Sequence, residues 1–445
     1  MRRTRGGPLG SLVRLRPAVT LGALLATTGA RANGAFPDEF SIHFPPNAPH
    51  RIYVGANFGL LVTEDDGATW RYSCEPWVTE GSSAALTQNN VDFYQLTADG
   101  ALIAQSLEVT RSEDVACTWP VSGGAITGKV VTDLFPDPND PTLVLAVRVN
   151  TGGSDVVASH DGGKTFVDLP IYQSTGLITG VELAKSRPGV VYVTSIAFSG
   201  ATSTLARSDN FGATWTPWPL TIPGGTEPLI MAIDPEDADT VYLRVVGALT
   251  DSVVITHNGG QSTETALTIT GQFSSFLRAG DRTLYAGTLA GKLYVRPPGA
   301  TEFTNHAAPH FRCLGQRTGT SRLFACGDMG IDGFSVGYSD NGGQTFQAMM
   351  SFTDLLGPLT CTPVASNCAS HWERIQGVLG ITPPDGGAGG GDAGQPDAGQ
   401  GQPDAGPPPS NPGQPKSGCS STAGNAAAIL GLIVVLALFP RRRKS

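Results

Sequence analysis

A phrase of eight residues recurs along this chain at a nearly fixed interval, and that periodicity limits the fold more than any other property. Its plainest copies are Thr63-Glu64-Asp65-Asp66-Gly67-Ala68-Thr69-Trp70 and Ser159-His160-Asp161-Gly162-Gly163-Lys164-Thr165-Phe166. Ser208 to Trp215 and Ser339 to Phe346 repeat it with Asn210 and Asn341 at the Asp position, followed by Gly212 and Gly343. Three worn copies complete the series. Ser112 to Trp119 keeps Asp114 and Trp119 but has Ala116 for Gly. Thr256 to Thr263 keeps Asn258 and Gly260 but loses the aromatic. Pro298 to Phe303 keeps little else than the aromatic. The aromatic-equivalent positions 70, 119, 166, 215, 263, 303 and 346 are separated by 49, 47, 49, 48, 40 and 43 residues. A period of that size marks a tandem array of one supersecondary unit.

About twenty residues before each phrase lies a short β-rich run, such as Arg51-Ile52-Tyr53-Val54, Val190-Val191-Tyr192-Val193 or Thr240-Val241-Tyr242-Leu243. Turn residues precede several of them, as in Asp137-Pro138-Asn139-Asp140 and Asp234-Pro235-Glu236-Asp237. Each unit thus reads as four short strands, and seven units predict an all-β, seven-bladed propeller over residues 33–380. Gly 57 and Pro 33 in 445 residues suit a chain rich in turns. Within the phrase, Asp65, Asp114, Asp161 and their Asn equivalents accept hydrogen bonds from backbone N–H groups a few residues on. Gly67, Gly163, Gly212, Gly260 and Gly343 supply a positive φ. Trp70, Trp119, Phe166, Trp215 and Phe346 pack between neighbouring blades. This is a folding device. Equivalent acids repeated around a ring do not make one active site.

Residues 1–32 read as an export signal: Arg2, Arg3, Arg5, Arg14 and Arg16, an apolar Ala18–Thr28, and Ala30-Arg31-Ala32 before Asn33. Export permits disulfides. Of seven cysteines, Cys313/Cys326 and Cys361/Cys368 are near neighbours, and Cys74 and Cys117 are placed to bridge adjacent blades. None has zinc-like spacing, and neither a metal nor a cofactor is expected. Ten of the 29 basic residues lie in positions 1–32 and 441–445, leaving 19 against 38 acids in between. That balance argues against nucleic acid and polyanionic glycans as partners.

Residues 381–418 are rich in Gly, Pro, Ala, Asp and Gln, with Asp-Ala-Gly recurring at Asp392, Asp397 and Asp404. This composition predicts a disordered spacer. Residues 419–445 follow: Cys419, an apolar stretch from Ala426 to Phe439, and Arg441-Arg442-Arg443-Lys444. The stretch predicts a membrane segment with its basic end on the cytoplasmic side. The order Gly418-Cys419, short span, Arg cluster resembles the C-terminal sorting segment of exported myxobacterial proteins. That resemblance implies cell-surface sorting, with processing or lipid attachment near Cys419.

The repeated phrase resembles the bacterial neuraminidase repeat, or Asp box. Sialidases, xyloglucanases, the sortilin ectodomain and photosystem II assembly-factor propellers share it. The resemblance covers residues 40–360 and implies a propeller scaffold more than an activity. A sialidase would need three arginines on the substrate carboxylate, a Tyr/Glu pair and an acid/base Asp on six blades. Arg51-Ile52-Tyr53 lacks the family's Pro, and Arg244, Arg278, Arg312 and Tyr338 are the residues available. A xyloglucanase would need two carboxylates across a cleft between two propellers, and this chain has one. The acidic turns at Asp137 and Asp234 suggest calcium but read better as turns between blades, and His371-Trp372-Glu373 reads as a plug at the end of the fold. No Gly-x-Ser-x-Gly, His-Glu-x-x-His or phosphate loop is present. The sequence therefore predicts a monomeric, surface-tethered propeller that binds a protein or glycan. A glycoside hydrolase and an envelope assembly factor are the alternatives.

Overall fold

The computed structural model describes residues 39–79, 91, 93–168, 170–198, 203–220 and 225–381. The expected export signal, nearly all of the spacer, Cys419 and the terminal apolar stretch lie outside the described residues. Among the described residues no helix is long and apolar enough to cross a membrane.

Seven blades of antiparallel strands follow one another as blades 1 to 7, and Thr165–Phe166 of blade 3 also pairs in parallel with Gly123–Gly124 after blade 2. The innermost strands of the blades are Glu39–His43, Phe93–Leu96, Val131–Pro136, Leu177–Leu183, Gly225–Ile233, Phe273–Arg278 and Cys313–Gln316. Each packs on the innermost strand of the next blade, and the last packs on the first, so the ring closes. The β-rich runs form the second strands. Val144, Leu145, Ala146 and Val147 are all buried, because a strand sandwiched between neighbouring blades has no solvent face. Blade 2 departs from the four-strand plan. Its outer position is reduced to a single bridge between Thr110 and Val121. Glu39–His43 starts blade 1, and blade 7 is completed by its own outer strand, Gln347–Met350. The one strand that crosses the closure among the described residues is Leu355–Pro358, which follows blade 7 and adds to the outer edge of blade 1.

Every repeated phrase connects the third strand of its blade to the fourth. In blade 3, Ser159 Oγ accepts the Gly163 N–H (2.8 Å), and Asp161 accepts from Thr165 N–H (2.8 Å) and Thr165 O–H (2.6 Å). Two consecutive residues then take the left-handed conformation: Asp66/Gly67, Val115/Ala116, Gly162/Gly163, Phe211/Gly212, Gly259/Gly260 and Gly342/Gly343. A β-branched residue such as Val115 is strained there. The drift from Asp to Asn has a simple account. Asn210 Oδ1 still accepts the Thr214 N–H (2.8 Å), while its Nδ2 donates to Thr214 Oγ1 (2.9 Å), reversing the hydroxyl bond without losing it. Asn341 does the same with Thr345, and Asn258 with Ser262. Asp161→Asn should therefore leave the urea unfolding midpoint nearly unchanged. Asp161→Ala, which strips the bonds from Thr165 N–H, Thr165 O–H and Ser159 O–H, should cost about 1–2 kcal/mol.

The Trp rings fold back on their own loops, Trp70 Nε1 donating to Gly67 O (3.0 Å) and Trp215 Nε1 to Gly212 O (3.1 Å). They also reach the preceding blade. Trp119 packs with Tyr53 and Leu60 of blade 1, Phe166 with Ile103 and Val109 of blade 2, and Trp215 on Tyr172 of blade 3 at 4.7 Å between ring centroids.

After blade 7 the chain becomes a strap. Leu355–Pro358 lies parallel to Trp70–Cys74, the outer strand of blade 1, and two short helices follow, Thr362–Asn367 and Ala369–Ile375. The strap corrects the expected disulfides. Cys313 and Cys326 face each other in register on adjacent strands of blade 7 and are bonded. The other four cysteines pair crosswise, Cys74 with Cys368 and Cys117 with Cys361. Cys361 and Cys368 sit at opposite ends of one helix, so each meets a cysteine of the first two blades rather than the other.

Candidate functional site

The ring has two faces of different chemistry. On one lie the repeated loops and the turns between first and second strands. Gly162 N donates to Thr142 O (2.7 Å), Phe211 N to Gly189 O (2.8 Å) and Gly259 N to Asp239 O (2.8 Å), joining loop to turn within a blade. Polar groups on this face also bridge neighbouring blades. Asn47 Nδ2 donates to Asp99 O (2.6 Å), Arg111 Nε to Gly162 O (2.5 Å) and Asn139 Nδ2 to Lys185 O (3.0 Å). Arg187 meets Asp239 (3.1 Å), Arg278 meets Asp234 (3.0 Å), His306 Nε2 meets Gly343 O (2.9 Å), and Arg317 meets Asp66 (2.6 Å). These contacts span every one of the seven blade junctions. A shallow groove of about 370 Å³ lies on this side, lined by Arg111, Glu113 and Lys164. Its charges are already matched, with Glu113 bonded to Arg111 and, at 2.9 Å, to Lys164.

The residues considered for catalysis are held apart and in structural roles. Arg244 pairs with Asp251 (2.6 Å) in blade 5. Arg278 is bonded to Asp234 and Glu236 on the loop face, and Arg312 to Asp328 (3.2 Å) in blade 7. Tyr338 O–H donates to Gln347 (2.9 Å), and the Arg322 guanidinium stacks 4.1 Å from its ring centre. Arg51 pairs with Glu64 (3.6 Å). The acidic turns close on themselves. Asp137 Oδ1 accepts the Asn139 N–H (2.7 Å), Asp140 binds Thr142, and Asp237 binds Thr240 (2.7 Å). His371 and Trp372 pack on Tyr72, the imidazole meeting the Tyr72 hydroxyl at 3.1 Å. Burial, aided by Arg374, lowers the His371 pKa to about 4.

Sequence reasoning missed two acids beside the central channel. Asp133, on the innermost strand of blade 3, accepts the Val181 N–H of blade 4 (2.8 Å). Glu182 of blade 4 accepts the Ile233 N–H of blade 5. The carboxylates thus satisfy bare inner edges of neighbouring sheets. Both retain some solvent access, yet protein walls them in on all sides. Burial pushes Asp133 up to about 6. Burial and the nearby Asp133 charge push Glu182 up to about 8.

The opposite face carries the hairpins between second and third strands. Leu107, Phe198, Leu249, Leu289 and Ile331 sit at these hairpins in blades 2, 4, 5, 6 and 7, with between 37% and 79% of their surface exposed. Val130, just before blade 3, is exposed beside them. On the loop side, Val121, which lines the groove, and Val167 are exposed just past the repeated phrases of blades 2 and 3, and Leu356 and Val378 are exposed on the strap. Isolated surface Leu residues are ordinary. Their recurrence at equivalent hairpins of five blades makes this face the candidate interaction surface. In blade 1 the equivalent residue, Phe58, is buried, with Phe352 of the strap set edge-on at 5.3 Å.

No protein-family model and no curated protein sequence matches the chain. Solved structures similar to it include YCF48 from Cyanidioschyzon merolae, at 16% identity and a TM-score of 0.42 over 65% of this chain and 92% of that one. The extracellular domain of the one-component system BT4673 from B. thetaiotaomicron is 12% identical, with a TM-score of 0.45 over 66% of this chain and 37% of that one. The GH74 xyloglucanase from Xanthomonas campestris is 13% identical, with a TM-score of 0.36 over 69% and 77%.

Proposed function

We propose that this protein is an exported, surface-tethered propeller that binds a protein or glycan and performs no chemistry of its own. The observation that carries the reading is the exposed apolar residue at the hairpins of five blades on one face, set against a loop face whose polar groups are engaged between blades. The arginines that a sialidase would need are each neutralised by a carboxylate, on three different blades. Residues 1–32 direct export. Residues 382–418 form the spacer, and 419–445 tether the ring to the envelope. Full-length protein should show no turnover of a fluorogenic sialoside or a β-glucan above the buffer rate, and steady turnover of either would sink the non-catalytic reading.

The sorting role of Cys419 has its own test. Cys419→Ala should move the protein out of the surface-exposed envelope fraction of the producing cell while its melting temperature stays the same. Unchanged fractionation would leave the apolar stretch as a simple tail anchor.

A further inference from the structure

We infer that the occupant of the hairpin face is another polypeptide, presenting aliphatic side chains to the tips, rather than a glycan or a lipid surface. This rests on the binding reading above and narrows it. The molecule itself shows what covers such a tip. Phe58 occupies the hairpin of blade 1, and there the strap lies over it, packing Phe352, Leu355, Val364, Ile375 and Leu379 into one buried cluster. Among the described residues, nothing covers the corresponding tips of blades 2 and 4 to 7 in this way, and Leu107, Phe198, Leu249, Leu289 and Ile331 are exposed. A partner segment of the same character would extend around the ring what the strap already does at blade 1.

Chemistry separates the candidates. Sugar rings are held by stacking on broad aromatic faces, yet four of the five tips are aliphatic, and none is Trp or Tyr. An anionic bilayer is opposed by charge, because residues 33–440 carry 38 acids against 19 basic side chains. The same imbalance favours a partner of net positive charge, drawn in over long range and held by apolar contact at short range.

The test uses full-length protein on the surface of the producing cell. Leu249 and Ile331 are each replaced by the photocrosslinking residue p-benzoylphenylalanine, and Ser186, exposed on the loop face, serves as the control position. Irradiation should give one discrete, protease-sensitive adduct at both tips and none at Ser186. Adding Leu289→Asp should reduce the adduct at least tenfold without changing the melting temperature. Raising salt should lower its rate of formation. An adduct sensitive to glycosidase or extractable as lipid would overturn the polypeptide assignment but leave a binding face standing. So would an adduct of twice the chain's own mass, which would mark self-association. No adduct at either tip would overturn both this inference and the binding reading.

Discussion

Replacing Cys74 and Cys368 together by alanine should lower the unfolding free energy by about 4 kcal/mol, and removing Cys117–Cys361 as well should roughly double the loss. The size follows from how the ring is closed. Blade 7 is complete without a strand from the N-terminal side, and the chain after it adds Leu355–Pro358 as a fifth, parallel strand on the outer edge of blade 1. The strap does the joining. Arg71 Nη1 donates to Pro358 O (3.0 Å) and Leu359 N to Tyr72 O (2.9 Å), and the two bridges fix its helices to blades 1 and 2. The bridges span 294 and 244 residues, so either alone restrains more than half of the 445-residue unfolded chain. With one bridge intact, the other still closes a loop of about fifty residues, and loop-closure entropy for that length is about 4 kcal/mol. The bridge Cys313–Cys326 spans only 13 residues within one hairpin. Its removal should cost about 3 kcal/mol or less. Guanidinium unfolding followed by Trp fluorescence gives the ranking. An unchanged midpoint for C74A/C368A, or a larger loss for C313A/C326A, would show that the strap does not hold the ring closed.

That strap also marks where the sequence stops being legible. Blade number and strand plan are written in the chain because each unit repeats the same local chemistry: a Ser or Thr, an Asp or Asn, a Gly and an aromatic. The register of Cys313 and Cys326 is equally local, since they lie on consecutive strands of one hairpin. Cys361 and Cys368 are closer in sequence than that pair, and sequence proximity fails for them. A helix between them points the two sulfurs at different blades, a consequence of docking over nearly 300 residues. The apolar tips left a readable trace. Ala248-Leu249 and Ser106-Leu107 occupy tight hairpins where turn chemistry favours Asn, Asp and Gly. An apolar residue there serves something other than the turn. Asp133 and Glu182 left none. Alternation along a strand says which residues share a side, but not which strand edge faces the channel.

Those two acids give the protein an unusual dependence on pH. Glu182 has a folded pKa near 8, against an ordinary value of 4.5, and Asp133 one near 6, against 3.8. Both values are raised, so between the unfolded and folded pKa values the native state holds more protons than the unfolded chain. Their contribution is fully present below about pH 4. It is lost as pH climbs through 6 for Asp133 and then through 8 for Glu182. At pH 8 to 9 the cost of ionised Glu182 should be on the order of 3 kcal/mol, allowing for the partial exposure of its side chain. Other groups pull the opposite way. His43 and His371 are lowered by burial to about 4, so their contribution is present above the ordinary histidine pKa and fades as pH falls toward 4. The raw stability profile therefore mixes both trends, and the difference between wild type and Glu182→Gln separates them. The amide oxygen still accepts the Ile233 N–H, but the side chain no longer ionises. Glu182→Gln should match wild type within about 1 kcal/mol at pH 5 and exceed it by on the order of 3 kcal/mol at pH 9. A pH-independent difference in chemical denaturation would mean that Glu182 is ionised throughout and that its bond to Ile233 stabilises the ring as a carboxylate.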